Sequence, residues 1–243
     1  MVKVYTTPRI TAPAWQFDAV DQAHMLIGGT TGAGKSVALA GIIRSLLRFT
    51  PDEVQLVLID PKGVELIDYD ALPHSLGHFC DPYRIQGAIS YLADLMEERF
   101  SVMAKRREKV YSGAAIYVVI DEYVDLKIAA KRDKKLQKTI TDIIRIACKG
   151  RAAKIHLIIC TQRPTREIID GSIRACLPCV LALRCSSAQE SRNLIDRKGA
   201  EDLPLHGTGL YLTPSSKDIE EVPVPMVSES EMQSLINWWA KQA

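Results

Sequence analysis

A glycine-rich segment at residues 29–36 has the residue types and spacing of a phosphate-binding loop. It reads Gly-Thr-Thr-Gly-Ala-Gly-Lys-Ser and matches the pattern G-x-x-x-x-G-K-[ST]. Glycines let the backbone turn tightly and direct successive N–H groups towards one anion. In such a loop Lys35 reaches the β- and γ-phosphates, and the Ser36 hydroxyl can ligate Mg²⁺. The predicted nucleotide-binding residues are Gly29, Thr30, Thr31, Gly32, Ala33, Gly34, Lys35, Ser36 and Val37.

The sequence around this loop supports a nucleotide site rather than a surface glycine turn. The apolar run at residues 25–27 is typical of a short buried strand, and residues 35–48 have apolar positions at helical spacing. Strand, glycine loop and helix is the context that the motif requires. The helix adds the positive end of its dipole to the same anion site.

Two carboxylates follow a second apolar run, at residues 116–120. This arrangement resembles a Walker B strand, in which Asp121 would ligate the Mg²⁺ bound to Ser36. Glu122 would orient or deprotonate the attacking water. Gln162 follows another apolar run and could hydrogen-bond that water or the γ-phosphate. The three side chains and Lys35 form the predicted centre of an ATPase.

The elements that must position these residues alternate between strand and helix. Strands are expected at residues 24–27, 54–60, 116–120, 155–162, 180–184 and 209–212, and the longest helix at 85–109. This alternation predicts an α/β fold with a mostly parallel central sheet and helices on both faces. Residues 1–23 are predicted to form a lead-in with an edge strand. Residues 24–243 are predicted to form one domain that ends in a helix at about 229–240.

Two further segments are less regular. Residues 64–83 are expected to be a loop or short helix, and residues 127–149 a single helix with an apolar face. The first half of that helix carries six cations and one acid. The sequence leaves open whether these cations form a solvated face or contact a phosphate backbone.

Bulk composition is that of an ordinary folded protein. The chain has 243 residues, 47% apolar and 25% charged, with a net charge of +2 that indicates no particular partner. No apolar stretch approaches the ~20 residues of a membrane span, and no signal peptide is recognised, so a cytoplasmic location is expected.

Cysteine and histidine do not indicate a metal site. The six cysteines are expected to be buried, reduced thiols, although Cys176 and Cys179 have C-x-x-C spacing without a second pair. His74 and His78 likewise lack partners at metal-ligand spacing. Trp238 and Trp239 are expected to pack on the domain rather than to stack on bases.

Four stretches together resemble the FtsK/SpoIIIE family of DNA translocases, within the RecA-like hexameric motors. They are residues 24–36, 58–66, 119–126 and 145–164, the last continuing through 186–196. The combination of Asp-Pro-Lys at residues 60–62 with Thr-Gln-Arg-Pro at 161–164 is more specific than the glycine loop alone. The resemblance covers roughly residues 24–213.

The resemblance implies a RecA-like P-loop NTPase core that uses ATP and Mg²⁺. It also implies a homo-oligomeric ring, expected to be a hexamer, around double-stranded DNA. Arg151 matches the position of an arginine finger, although an ordinary helix-end arginine is the alternative reading. The residues predicted to contact DNA are Lys131, Arg132, Lys134 and Lys135.

The chain also departs from the family pattern. Membrane helices, a linker and a winged-helix module are not seen, and the segment at 103–116 is short. These differences favour a compact motor of a mobile element, such as a conjugation coupling ATPase in a bacterium. A protein-secretion ATPase and a nucleotide-gated assembly factor without translocation remain as alternatives. A GTPase is disfavoured because no Asn-Lys-x-Asp motif occurs.

Overall fold

The computed structural model describes residues 24–214, 218–224 and 226–242. The predicted lead-in at residues 1–23 lies outside the described residues. The strands are β1 (His24–Gly28), β2 (Val54–Ile59), β3 (Ser75–Phe79), β4 (Ala115–Ile120), β5 (Ile155–Thr161), β6 (Cys179–Ala182), β7 (Thr208–Leu212) and β8 (Glu220–Pro223). The helices are α1 (Lys35–Leu46), α2 (Pro82–Arg106), α3 (Tyr123–Arg132), α4 (Gln137–Lys149), α5 (Gly171–Cys176), α6 (Ala188–Ile195) and α7 (Glu229–Ala240).

One sheet organises the described residues, with strand order β3-β2-β4-β5-β1-β6-β7-β8. All pairings from β3 to β6 are parallel, and β7 and β8 continue the sheet in antiparallel pairing. The predicted α/β fold with a mostly parallel sheet is therefore confirmed. Because parallel strands point the same way, the segments that follow β1, β2, β4 and β5 meet at one edge.

Helices cover both faces of the sheet. Along β1, Leu26 packs into the core shared with α2 and α4, whereas Met25 and Ile27 pack into the core shared with α1 and α7. Successive side chains on a strand point to opposite faces, so a strand covered on both sides is apolar at every position. This explains the continuous apolar runs in the sequence.

The structure corrects two predicted elements. The segment at 64–83 contains a 3₁₀ turn at Ile67–Ala71 and also the edge strand β3, which was not predicted. The single helix expected at 127–149 is wrong, because the chain is extended at Asp133 and forms two helices. The Asp133 carboxylate accepts a hydrogen bond from the Lys135 N–H at 2.8 Å, which starts a short 3₁₀ turn.

The cysteine prediction is wrong for one pair. Cys148 at the end of α4 and Cys176 at the end of α5 form a disulfide, with 5.0 Å between their Cα atoms. The two cysteines are distant in the sequence, so the sequence does not show that they are neighbours. They come together because α4 packs on α5. The other cysteines, Cys80, Cys160, Cys179 and Cys185, are free thiols.

The C-terminal helix is anchored by Trp239, as the expected packing of the tryptophans requires. Its ring is fully buried, meets the His74 ring edge-on at 4.6 Å, and donates from Nε1 to the Leu47 carbonyl at 3.2 Å. Helix α7 therefore closes the same face of the sheet as α1.

Replacing His24 should change how stability depends on pH. His24 is buried, its Nδ1 accepts from the Leu157 N–H at 3.1 Å, and its Nε2 has no partner among the described residues. Burial, followed by the charges of His156 and Arg151, lowers the pKa of His24 to about 3. The unfolded chain binds this proton near its ordinary pKa of about 6.5. Stability should therefore fall as pH drops below ~6.5, by at most ~1.4 kcal/mol per pH unit from this residue.

Urea unfolding of the wild type and His24→Gln between pH 7 and pH 4.5 measures this contribution. We expect a shallower pH dependence in the variant, while substitution of the exposed His206 by Gln should leave the slope at the wild-type value. Parallel curves for the wild type and His24→Gln would contradict the burial argument.

Candidate nucleotide site

The glycine loop connects β1 to α1 and is held in a compact turn. The Thr30 N–H donates to the Arg184 carbonyl at 2.8 Å, and the Ala33 N–H donates to the Thr30 carbonyl at 3.1 Å. Gly32 and Gly34 have φ angles of 76° and 92°, in the left-handed region that favours glycine. Gly34 caps α1 without a side chain. The N–H groups of the first helical turn are thus left for an external acceptor such as phosphate.

Lys35 begins α1, and its ammonium lies over the loop. Its Nζ donates to the carbonyl oxygens of Gly29 and Thr30, both at 2.8 Å. Burial lowers the pKa of Lys35, while the nearby Glu122 and Asp121 oppose this shift. The ammonium is therefore held in place by backbone oxygens rather than by an ion pair.

Asp121 and Glu122 follow β4, as the sequence predicted. Burial and the negative charge of Asp60 raise the pKa of Asp121 to about 6. Glu122 is only 2% exposed, and its carboxylate accepts from the N–H groups of Val124 at 3.4 Å and Gln162 at 3.3 Å. Burial also raises the pKa of Glu122, and these two hydrogen bonds lower it. A raised pKa makes a carboxylate a better proton acceptor.

Gln162 follows β5, which lies between β1 and β4 in the sheet. Its side-chain oxygen accepts a hydrogen bond from the Thr31 hydroxyl at 2.7 Å. Its backbone N–H donates to Glu122. Gln162 therefore connects the glycine loop to the carboxylate pair.

Asp60, after β2, has a structural role that the sequence did not reveal. It is completely buried, and its two carboxylate oxygens accept four backbone N–H groups. Oδ1 accepts from Lys62 at 3.1 Å and Gly63 at 2.9 Å, and Oδ2 from Glu65 at 2.8 Å and Leu66 at 3.1 Å. The Asp-Pro-Lys-Gly turn signature could have suggested this loop-organising function.

Arg151 does not lie at this edge. It is exposed in the turn between α4 and β5, at the opposite end of a seven-residue strand. Such a strand spans roughly 20 Å. The turn is fixed by Arg99, whose Nη1 donates to the Ala153 carbonyl at 2.8 Å and whose guanidinium stacks on Tyr111 at 4.3 Å. Arg151 is therefore far from Lys35 of the same chain.

The basic segment at 127–138 is partly neutralised. Lys127 pairs with Asp170, Lys131 with Glu167, and Lys138 with Asp142. Arg132, Lys134 and Lys135 are exposed and make no ion pair within the described part of the chain. The acids that pair with α3 were missed because they follow β5, more than thirty residues later in the sequence.

The donor set fits Mg²⁺ bound together with phosphates. The described residues contain no group of three or more His, Cys, Asp or Glu side chains that could hold a metal alone. Mg²⁺ typically uses one or two protein ligands and completes its shell with phosphate oxygens and water. The Ser36 hydroxyl and the Asp121 carboxylate, surrounded by further negative charge, suit that role.

Comparison with known proteins agrees with this geometry. The model of the FtsK/SpoIIIE family matches residues 2–115 and 102–166. The chain belongs to the FtsK/SpoIIIE family. A DNA translocase FtsK of Leptospira interrogans is 37% identical to this FtsK/SpoIIIE member over an alignment of 232 positions, which covers 88% of the chain and 24% of the relative. The chain thus spans about a quarter of that relative's length.

Solved structures show the same fold. The conjugation coupling protein TcpA of pCW3, in a monomer form with ATPγS, matches with a TM-score of 0.80 and 23% identity. That match covers 91% of this chain and 66% of TcpA. The cytoplasmic domain of the type VII secretion ATPase EccC of Thermomonospora curvata matches with a TM-score of 0.71 and 22% identity. That match covers 89% of this chain and 28% of the EccC cytoplasmic domain. The fold is that of P-loop ATPases.

Among the described residues, none of the helices combines the length and the apolar character that a membrane span needs.

Substitution of Asp60 by Asn should destabilise the loop beside Asp121. The amide has one acceptor oxygen in place of two, so two N–H groups that donate to the buried carboxylate would lose their partner at a cost of ~1–3 kcal/mol each. We expect the free energy of unfolding to fall by about 2–4 kcal/mol. Denaturant titration measures the loss, with the exposed Asp68→Asn in the same loop as a matched control. A loss below about 0.5 kcal/mol, the usual range for surface changes, would contradict this role.

Proposed function

We propose that this chain is the motor core of a double-stranded DNA translocase that hydrolyses ATP and acts within a homo-oligomeric ring, expected to be a hexamer. The observation that carries the proposal is the meeting of Lys35, Asp121, Glu122 and Gln162 at one sheet edge beside the glycine loop. Family membership supports a DNA cargo, and the bacterial cytoplasm is the proposed location.

ATP binding rests on the loop and on Lys35. The phosphates would accept from the N–H groups of the loop and of the first turn of α1, where the helix dipole favours negative charge. Lys35 would exchange its backbone carbonyl partners for oxygens of the β- and γ-phosphates. Ser36 and Asp121 would hold Mg²⁺, which supplies charge neutralisation on the phosphates when bound.

Hydrolysis is assigned to the Asp121–Glu122 carboxylate pair and Gln162. Water attacks the γ-phosphorus, the bond between that phosphorus and the β–γ bridging oxygen breaks, and ADP and phosphate form. Glu122 accepts the proton of the water, and its raised pKa suits that task. Gln162, which accepts a hydrogen bond from Thr31 and donates one to Glu122, would orient the water.

Arg151 is proposed to act on a neighbouring subunit. Its turn lies at the sheet edge opposite Lys35, so it cannot reach the nucleotide of its own chain without unfolding β5. Arg99 and Tyr111 give the turn a fixed orientation. In a head-to-tail ring this edge would face the next subunit's nucleotide, where an arginine stabilises the charge of the transition state.

The DNA contact is assigned to the exposed basic residues between α3 and α4. Arg132, Lys134 and Lys135 are the cations of this segment that no described acid pairs, and Lys131 lies beside them with a partner at the surface. Phosphate backbones attract such unpaired cations and release counterions on binding.

ATP hydrolysis measured with and without linear duplex DNA tests the proposed function. We expect DNA to stimulate the rate, and the stimulation to fade as salt rises from ~50 to ~200 mM because phosphate contacts release counterions. Glu122→Gln should lower the rate ~10²–10⁴-fold, because the amide cannot accept the proton. Its binding of an ATP analogue should persist.

The controls separate the cargo from the chemistry. Replacing Lys134 and Lys135 together by Ala should remove the stimulation and leave the DNA-free rate unchanged. Hydrolysis that polypeptide stimulates and DNA does not would overturn the DNA assignment in favour of a secretion ATPase. Nucleotide binding without hydrolysis by the assembled wild type would favour an assembly factor.

Mixing two inactive variants tests whether Arg151 acts across subunits. Arg151→Ala should lower the rate of the assembled protein ~10³–10⁵-fold, as loss of an arginine finger does. A mixture with Glu122→Gln should regain activity, because some interfaces then combine an intact Arg151 with an intact Glu122. The exposed Lys149→Ala, at the end of α4, serves as the control variant. Absence of any regained activity in mixed rings would contradict action in trans.

A further inference from the structure

We propose that Lys62 is a second catalytic lysine of this site, whose ammonium binds the γ-phosphate oxygens together with Lys35 and stabilises their charge during transfer. This inference rests on the proposed ATP hydrolysis and adds a residue to it. The evidence for it is the structure of the loop that follows β2 and the position of that loop beside Asp121 and Glu122.

The backbone of Lys62 is fixed at this edge by Asp60. The fully buried carboxylate accepts the Lys62 N–H and three further N–H groups of the same loop. Gly63, which follows, has a φ angle of 72° and donates to the Asp60 carbonyl at 3.0 Å. The loop is therefore a rigid support rather than an unconstrained connection.

The strand register places this support next to Asp121. β2 pairs in parallel with β4, with Ile59 opposite Ile120, so the first residues after both strands are neighbours. The Asp121 N–H donates to the Ile59 carbonyl at 3.0 Å, which extends the pairing into the site. Lys62 stands two residues beyond Asp60 on the loop that leaves this point.

The positive charge of Lys62 contributes to the pKa values of three groups at this site. Burial lowers the pKa of Lys35, and Lys62 lowers it further. Burial and Asp60 raise the pKa of Asp121, and burial raises that of Glu122, and in both cases Lys62 opposes the rise. Lys62 therefore lies near enough to Lys35, Asp121 and Glu122 for its charge to act on all three, in agreement with the strand register.

The ammonium of Lys62 is also available. Its side chain is exposed and makes no ion pair or hydrogen bond with the residues that the structure describes. Two lysines close to one another repel, and an anion that contacts both ammonium groups relieves this repulsion. The triphosphate of ATP is such an anion, and a compact ammonium is a suitable partner for its oxygens.

The chemical consequence follows from how phosphoryl transfer distributes charge. While the bond from the γ-phosphorus to the bridging oxygen breaks and the bond to water forms, negative charge lies on oxygens that Lys62 would contact. Lys62 takes no part in the proton transfer, and the proton of the water still passes to Glu122. The contribution of Lys62 should therefore appear in turnover more than in ground-state binding.

Lys62→Met, which removes the ammonium and retains most of the side-chain volume, tests the proposal. We expect kcat for ATP to fall ~10²–10³-fold, as on removal of one donor to a transition-state oxyanion, with KM changed less than ~3-fold. Lys62→Arg should retain part of the activity because it retains the charge. Lys109→Met, at an exposed position of the α2–β4 connection, should behave as the wild type.

A binding measurement keeps the test independent of turnover. ADP lacks the γ-phosphate, so Lys62→Met should bind ADP as the wild type does. Its affinity for ADP with aluminium fluoride, which occupies the γ-phosphate position, should fall by at least ~10-fold. Equal affinities for both probes in variant and wild type, or an equal loss for both, would overturn the proposal. A wild type that shows neither hydrolysis nor binding of either probe would instead reject the proposed function, and Lys62 with it.

Discussion

The parallel pairing of β1, β5 and β4 is the constraint on which the site depends. It brings to one edge the residues that follow three strands, although Thr31 and Gln162, which share a hydrogen bond, are separated by 131 positions. Because β5 lies between the other two, Gln162 contacts the glycine loop on one side and Glu122 on the other. A change of register in any of these pairings would separate the side chains that the proposed chemistry combines.

A second constraint is the cost of keeping charges at a buried edge. Lys35, Asp60 and Glu122 are each at most 9% exposed, and none of them is satisfied mainly by an opposite charge. Backbone carbonyls hold the ammonium of Lys35, and backbone N–H groups hold both carboxylates. Backbone dipoles fix the orientation of a charged group without neutralising it. The site is therefore organised in advance for a charged ligand, which is the condition for electrostatic catalysis.

Local pattern was sufficient to predict the parts of this site that are continuous in sequence. The loop at residues 29–36 and the carboxylates after β4 have short signatures, because their chemistry needs adjacent residues. The continuous apolar runs likewise predicted buried parallel strands. The role of Gln162 was also inferred from its position after an apolar run. The RecA-like assignment and the interpretation of Arg151 depended on family resemblance.

Most of the incorrect structural predictions concern features that depend on contacts between distant parts of the chain. Edge strand β3 has few apolar side chains, since one side of it has no neighbouring strand in the sheet. Asp133 ends α3 through a local side-chain bond that helical spacing of apolar residues cannot reveal. The Cys148–Cys176 disulfide and the ion pairs of α3 join segments distant in sequence. The disulfide and the ion pairs have no local signature, so no pattern within one segment could have predicted them.

Helix α3 links the chemical end of the molecule to its basic surface. Glu122 caps its N-terminus by accepting from the Val124 N–H, and the helix ends at Arg132, near the 3₁₀ turn Lys134–Leu136. Lys127 and Lys131 bind α3 to Asp170 and Glu167 in the segment that follows Gln162. Glu122 precedes α3, and Gln162 precedes the segment that these ion pairs join to α3. Any movement of Glu122 and Gln162 on loss of the γ-phosphate would therefore move α3 and that segment together. A ten-residue helix is about 15 Å long, so a small tilt at Glu122 is enlarged at the cations that would contact DNA.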